Sequence, residues 1–138
     1  MKCKTLFVKN QIAELIHVAD YLEELGEEWE FSIPLVFSLN LVLEEALTNI
    51  ILYGFEDQSE HQIEIDFKKS DDKLFITLID DGIAYDPTLK ADPDLSLSAE
   101  DRPIGGLGVF LIKKIMDQVV YNRNENKNLL ILTKNINL

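Results

Sequence analysis

Cysteine is almost missing from this sequence of 138 residues, because Cys3 is the only one. One cysteine excludes an internal disulfide and a metal site built from several thiolates. The sequence also shows no unbroken run of 18 apolar residues, and its start, Met-Lys-Cys-Lys-Thr, lacks the apolar core of a signal peptide. We therefore expect a protein of a reducing compartment, with the cytoplasm as its location.

Positive charge is also scarce. The chain has 13 Lys and Arg against 25 Asp and Glu, for a net charge of −12 and a pI near 4.4. Nucleic acids and anionic membranes would be repelled by such a protein, so neither is expected as a partner. A ligand that carries phosphate groups would need a metal ion to offset the like charge.

The length and the hydrophobic content of the sequence are sufficient for a folded domain. The length predicts one domain over residues 1–138, and 46% of the residues are hydrophobic. Helical and alternating apolar patterns both occur, so we expect a mixed α and β protein.

The patterns place the elements along the chain. A strand over Cys3–Val8 precedes an amphipathic helix over Gln11–Leu25, which we expect Gly26 to end. A second helix begins after the cap residue Ser32, with Pro34 in its first turn, and stops near Gly54. Then follow, in order, a hairpin of strands 63–67 and 74–79, a helix over Leu107–Met116 and a second hairpin of strands 119–121 and 129–132 around a loop at 122–128.

Residues 82–108 have little periodicity and are rich in Gly, Pro and Asp. A stretch of this length without regular structure is uncommon in a small domain and is usually functional. We interpret it as a lid over a ligand.

The long second helix carries polar residues that packing does not require. Ser38, Glu45, Thr48 and Asn49 form a stripe between apolar neighbours, and Glu45 and Asn49, four residues apart, project from the same face. A solvated helix face and a binding site are both consistent with this stripe taken alone.

Two further segments have residue types that suit a ligand. Asp80-Asp81-Gly82 ends a strand, where an acid can accept a hydrogen bond and a glycine permits close backbone approach, although a plain turn has the same pattern. Gly105-Gly106-Leu107-Gly108 leads into a helix, whose free N–H groups and positive dipole end suit phosphate oxygens, although a flexible hinge is an equal alternative. It is not a Walker A loop, because no Gly-Lys-Ser/Thr follows.

The three segments together, in this order, resemble the N-box, G1 box and G2 box of the GHKL or Bergerat-fold ATPase superfamily. The resemblance is greatest to the anti-sigma-factor serine/threonine kinases, through Glu45-Ala46-Leu47-Thr48-Asn49, Asp80-Asp81-Gly82-Ile83-Ala84-Tyr85-Asp86 and Gly106-Leu107-Gly108. It covers nearly the whole chain. It implies an α+β fold, a two-layer sandwich with helices on one face of a mixed, mostly antiparallel sheet and an ATP lid between the G1 and G2 boxes.

The resemblance also implies roles for residues. Glu45 would be the catalytic base, and Asn49 would bind the Mg²⁺ ion that accompanies ATP. Asp80 would accept a hydrogen bond from the adenine amino group. The remaining implied cofactor-binding residues are Gly82 and Tyr85 in the G1 box, and Gly105, Gly106, Leu107 and Gly108 at the phosphates.

By this resemblance the protein phosphorylates Ser or Thr of a small antagonist protein and binds a sigma factor as its alternative partner. Tyr53 stands where these kinases often have His, which leaves open a non-catalytic, nucleotide-switched binding module. A third alternative is a detached ATP-binding domain that serves a separate histidine-containing protein. Family members are often dimers, so the sequence leaves a homodimer open.

Overall fold

The computed structural model describes residues 1–57, 59–89 and 106–136. In these residues the chain forms five strands and three α-helices, with short 3-10 turns at Ile12–Glu14 and Pro87–Leu89. The elements in chain order are β1 (Lys2–Lys9), α1 (Leu15–Glu28), α2 (Ile33–Tyr53), β2 (Gln62–Lys69), β3 (Lys73–Asp80), α3 (Gly106–Ile115), β4 (Gln118–Asn124) and β5 (Lys127–Asn135).

The five strands form one sheet in the order β1-β2-β3-β5-β4. Alternate residues of β2, β3 and β5 are buried and pack with the three helices in a common core, which leaves the other sheet face more exposed. The expected α+β fold with helices on one face is thus confirmed. All four strand pairs of the described sheet are antiparallel, so the sheet is more uniform than the mixed one expected.

Helix α2 buries its apolar face in the core, where Leu39, Leu43 and Leu47 are all 0% exposed. By length and composition alone, its 21 residues would be enough to cross a membrane. Polar residues such as Asn40, Glu44 and Glu45 interrupt the helix, so it contains no unbroken run of 18 apolar residues, as expected from the sequence. The buried leucines instead pack in the core against the sheet.

Helix α1 does not end at Gly26, so that prediction was wrong. The helix continues to Glu28, and the backbone N–H of Phe31 donates to the carbonyl of Gly26 at 2.8 Å. Glu30 has the positive φ of 58° that this type of C-terminal cap requires, so it takes the position expected of a glycine. Gly26 serves packing instead, because a Cβ there would lie 2.6 Å from Cγ2 of Val36 on α2.

The turn of the second hairpin is also shorter than the seven-residue loop expected. Strands β4 and β5 pair from Gln118 to Asn124 and from Lys127 onward, which leaves Glu125 and Asn126 as the turn. Both turn residues have positive φ, 50° and 64°. Two such residues make the tight turn whose twist matches that of paired strands, and β5 therefore begins at Lys127 and includes Asn128.

We predict that Gly26→Ala destabilises the fold by about 1–3 kcal/mol, because the added methyl group overpacks the α1–α2 contact. Urea unfolding measures the change. In a Val36→Ala background, where Cγ2 is removed, the same substitution should cost much less. An equal cost in both backgrounds would contradict the packing explanation.

Candidate functional site

A cavity lies where α2, α3, the end of β3 and the β4–β5 hairpin meet. Its wall is mostly apolar with a few polar side chains, which is typical of sites for small organic ligands. The lining residues are Ala46, Asn49, Ile50, Gly54, Asp80, Tyr85, Pro87, Ile112, Tyr121, Asn128 and Leu130. Three of the predicted site residues, Asn49, Asp80 and Tyr85, are thus brought to one cavity from segments far apart in the chain.

Asp80 is a buried acid, with 5% exposure. Its Oδ1 accepts hydrogen bonds from the backbone N–H of Gly82 at 2.9 Å and from Nδ2 of Asn128 at 3.0 Å. Burial raises the pKa of this carboxyl above its usual range, and the two hydrogen bonds oppose that effect. Among the described residues no hydrogen bond reaches Oδ2, so this oxygen can accept one from a ligand.

Asn128 is a site residue that the sequence did not reveal. Its Nδ2 donates to Asp80 and also to the carbonyl of Ile83 at 2.7 Å, while its Oδ1 accepts from the Tyr121 hydroxyl at 2.5 Å. Arg123 completes the arrangement, because its Nη1 donates to the carbonyl of Gly82 at 2.9 Å and to Oδ1 of Asn128 at 3.0 Å. The hairpin end therefore holds both Asp80 and the turn that follows it.

One signal for Asn128 was available in the sequence. The inward-facing residues of β5 alternate, and two places before Leu130 this alternation reaches Asn128. A polar residue at a core position needs hydrogen-bond partners, and here it has them. Because residues 122–128 were expected to form a loop, Asn128 was not counted as part of the strand.

Gly82 lies against the end of α2. A Cβ at Gly82 would overlap the carbonyl oxygen of Gly54, and the same carbonyl accepts a hydrogen bond from the N–H of Ile83 at 2.8 Å. The glycine therefore lets the turn after β3 approach the C-terminal cap of α2. This contact joins two of the three predicted segments directly.

Glu45 and Gly108 join α2 to α3. A Cβ at Gly108 would lie 2.5 Å from Oε2 of Glu45, so the glycine lets the partly buried carboxylate rest against the first turn of α3. One turn further along α2, the buried Nδ2 of Asn49 has no hydrogen-bond partner among the described residues. A buried amide without a protein partner fits a group that binds a ligand.

The remaining predicted site residues belong to the segment that leads into α3. Gly106 and Leu107 begin α3, whereas Gly105 and most of the predicted lid, residues 90–105, lie outside the described residues. The first part of the lid segment is tied to α3, because Nζ of Lys113 donates to the carbonyl of Thr88 at 3.1 Å.

A histidine cluster, also missed from the sequence, supports the same turn from the opposite side. The His61 ring stacks on Phe55, with ring centroids 4.4 Å apart. Its Nε2 lies 2.7 Å from Asp57 Oδ1 and its Nδ1 lies 3.0 Å from Asp81 Oδ1. The hydrogen bond to Asp57 is the main cause that raises the pKa of His61, and hydrogen bonds from Ser59 and then His61 lower the pKa of Asp57 to about 2.

Comparison with known proteins agrees with this geometry. The pattern of the histidine kinase-like ATPase domain matches residues 8–134. The chain belongs to this family. It is 32% identical over 113 residues to the serine/threonine-protein kinase BtrW of Bordetella bronchiseptica, covering 82% of this chain and 80% of that protein. It is 25% identical over 111 residues to an anti-sigma F factor of Oceanobacillus iheyensis, covering 80% of this chain and 73% of that protein.

Solved structures of histidine kinase-like ATPases share the fold. The blue-light activated histidine kinase of Erythrobacter litoralis superposes with a TM-score of 0.55 at 15% identity, over 77% of this chain and 32% of the kinase. Together these findings confirm the predicted family, its serine/threonine kinase branch of anti-sigma type, and an ATP-dependent protein kinase as the class of enzyme.

We predict that Asp80→Asn abolishes most nucleotide binding without loss of the fold. The amide keeps an oxygen for Gly82 and Asn128, but it replaces the free acceptor with a donor, and a mismatched buried polar group costs about 1–3 kcal/mol. Calorimetric titration with ATP should show roughly 10- to 100-fold weaker binding. Thermal stability at neutral pH should be kept or rise, because a buried charge is removed; a large fall in stability would contradict this prediction.

We predict that His61→Gln lowers stability in a pH-dependent way. Because the pKa of folded His61 is raised above 6.5, the stabilisation by its charge is complete below that pH and is lost as the pH rises through the folded-state pKa. The contribution of the Asp57 carboxylate to the free energy of unfolding is lost only at acid pH, as the pH falls toward its pKa of about 2. Urea unfolding should therefore show the largest difference from wild type between about pH 4 and 6.5 and a smaller one at pH 9.

The variant Asp57→Asn serves as the partner of His61→Gln in a double-mutant cycle. Coupling between the two substitutions should be strong at pH 5 and weak at pH 9. Coupling that does not change with pH would show that the ion pair is not its source.

Proposed function

We propose that this protein transfers the γ-phosphate of ATP to a Ser or Thr hydroxyl of a small antagonist protein, and that it binds a sigma factor as its alternative partner. The observation that carries the proposal is that Asp80 and Asn49 line one cavity while Glu45 lies one turn before Asn49 on α2, against the first turn of α3. These three side chains offer an acceptor for adenine, an amide whose nitrogen has no partner among the described residues, and a base.

Adenine would enter the apolar cavity beside Asp80. The free Oδ2 would accept a hydrogen bond from the exocyclic amino group, with Oδ1 held by Asn128 and Gly82. Tyr85 and Ile50 would contact the base, since both line the cavity. Guanine carries a carbonyl oxygen in place of that amino group, so the same acceptor would repel it.

Phosphates would lie at the first turn of α3. The backbone N–H groups of Gly106, Leu107 and Gly108 have no partner within the helix, and the positive end of the helix dipole favours anions. Gly105 belongs to the same proposed set. In a protein with a net charge of −12, these donors supply local positive potential for a triphosphate.

A magnesium ion fits the residues present. No hydrogen bond from the described residues reaches the Asn49 side chain, so its Oδ1, an oxygen of the kind that Mg²⁺ prefers, is available as a ligand, and Glu45 lies one turn away on α2. In the described part of the chain no group of three or more His, Cys, Asp or Glu residues could hold a metal by itself, so most ligands would be phosphate oxygens and water, as Mg²⁺ prefers. When bound, the ion neutralises phosphate charge.

Glu45 would take the proton of the attacking hydroxyl. The hydroxyl oxygen forms a bond to the γ-phosphorus, the bond from that phosphorus to the β–γ bridging oxygen breaks, and ADP leaves. The proton goes to the Glu45 carboxylate. Gly108 allows this carboxylate to lie beside the proposed phosphate position, and the reaction otherwise depends on positioning and electrostatics.

We predict that Glu45→Gln lowers the single-turnover rate by roughly 10²- to 10⁴-fold, the usual contribution of a general base, with little effect on ATP affinity. Asn49→Ala should instead weaken ATP binding in Mg²⁺. Transfer from γ-labelled ATP to a candidate antagonist protein measures the rate. Glu44→Gln is the matched control, because Glu44 is the neighbouring acid and is exposed, and its rate should equal that of wild type.

The same assay separates the alternatives. A nucleotide-switched binding module would bind ATP and yield no phosphorylated product. A detached domain serving a histidine protein would yield an acid-labile phosphohistidine. If Asn49→Ala left both affinity in Mg²⁺ and transfer unchanged, the proposed site would be wrong.

A further inference from the structure

A groove of about 450 Å³ runs between α1 and α2 on the outside of the helical layer. Its floor is formed by small and aliphatic residues, including Ala19, Gly26 and Val36, and Glu23 and Glu27 of α1 line one side. The close approach of the helices at Gly26 shapes the groove. It shares no lining residue with the nucleotide cavity.

Two large apolar side chains line the groove and face solvent. Ile33 is 86% exposed and Phe37 is 73% exposed, and both belong to the first turns of α2. Scattered exposed apolar residues are ordinary, but two adjacent ones along the wall of a concave surface are typical of a protein interaction site. Burial of such side chains in a complex removes apolar surface from water and stabilises the complex.

The charge around this groove has one sign. No Lys or Arg occurs between Lys9 and Lys68, so α1 and α2 contain only acidic charged residues. No described basic side chain forms an ion pair with Glu23 or Glu27, whereas Glu28 pairs with Lys4 at 3.5 Å. The two groove glutamates therefore offer unused negative charge beside an exposed apolar strip.

The groove lies on the side of α2 away from the nucleotide site. Asn40, which lines the groove, and Asn49, which lines the cavity, are nine residues apart. At about 100° per residue this separation puts them on opposite sides of the helix. A partner in the groove can therefore bind without contact with the nucleotide.

We propose that the groove docks an amphipathic α-helix of a protein partner, with apolar residues toward Ile33 and Phe37 and Lys or Arg toward Glu23 and Glu27. A groove between two helices accepts a third helix through apolar residues at i, i+3, i+4 and i+7. The acidic rim selects a basic partner through charge complementarity.

The same charge argues against other occupants. A second copy of this chain would bring its own acidic α1 and α2 against the rim, and anionic lipid or nucleic acid would be repelled. A basic helix alone satisfies both the apolar strip and the free carboxylates. The proposal does not depend on phosphoryl transfer, because it uses none of the nucleotide-site residues.

A fluorescent peptide of about 18 residues, with Leu at i, i+3, i+4 and i+7 and Lys elsewhere, is a direct probe. We predict that anisotropy titration shows binding to wild type and that Phe37→Ser weakens it roughly tenfold or more, as for a central anchor. Leu52→Ser is the matched control, because Leu52 is 55% exposed on the same helix but outside the groove, and its affinity should equal that of wild type.

A charge pair completes the test. The double variant Glu23→Gln/Glu27→Gln should weaken peptide binding and reduce its salt dependence. The control double variant Glu24→Gln/Glu30→Gln loses the same amount of charge at residues outside the groove, and it should bind the peptide as wild type does. The Asn49→Ala variant should bind the peptide as wild type does, so failure of the proposed nucleotide site would not affect this result.

Three outcomes would overturn the proposal. Equal binding of a peptide with the same composition but no amphipathic pattern would indicate general attraction to an acidic protein. Equal binding by Phe37→Ser and wild type would exclude the groove. Finally, sedimentation could show that the wild-type protein is a dimer and that Phe37→Ser is a monomer. In that case a second copy of this chain, and not a partner helix, would occupy the groove.

Discussion

The packing of α2 on the sheet is the constraint on which the rest of this structure depends. Leu39, Leu43 and Leu47 are completely buried against β2, β3 and β5, and α1 and α3 pack on either side of the same helix. This burial fixes how α2 is rotated. Because the rotation is fixed, Asn49 faces the cavity and Phe37 faces solvent, so one set of leucines determines where both surfaces lie.

The proposed nucleotide site depends on how the buried carboxyl of Asp80 is bonded. Asp80 is at the end of a central strand, where burial raises its pKa and an unpaired carboxylate would be costly. Asn128 and the backbone of Gly82 bind one oxygen, and Tyr121 and Arg123 hold Asn128 in turn. This network leaves the second oxygen for a ligand, which makes Asp80 a directional acceptor rather than only a local charge.

Glycines allow the predicted segments to meet. Gly82 lets the turn after β3 reach the carbonyl of Gly54 at the end of α2, and Gly108 lets α3 approach Glu45. Each contact would be blocked by one methyl group. The two groove glutamates, Glu23 and Glu27, lie on α1, apart from the residues that line the cavity.

The sequence by itself determined the elements and the family. Ser32 and Pro34 mark the start of α2. The Oγ of Ser32 accepts a hydrogen bond from the N–H of Leu35 at 3.2 Å, as expected of an N-terminal cap. A helix cap depends only on residues that are close in the sequence, so it can be predicted without knowledge of the fold. The ordered segments around Glu45, Asp80 and Gly106 likewise indicated a kinase of the histidine kinase-like ATPase family.

The tertiary structure determined the roles of residues whose contacts come from distant parts of the chain. Gly26 was expected to end α1, but the side chain of Val36 on another helix explains why a glycine stands there. Asn128 became a partner of Asp80 because β3 and β5 pair in a register that puts them side by side. No local pattern contains that register, since it is set by burial of the whole inward face of the sheet.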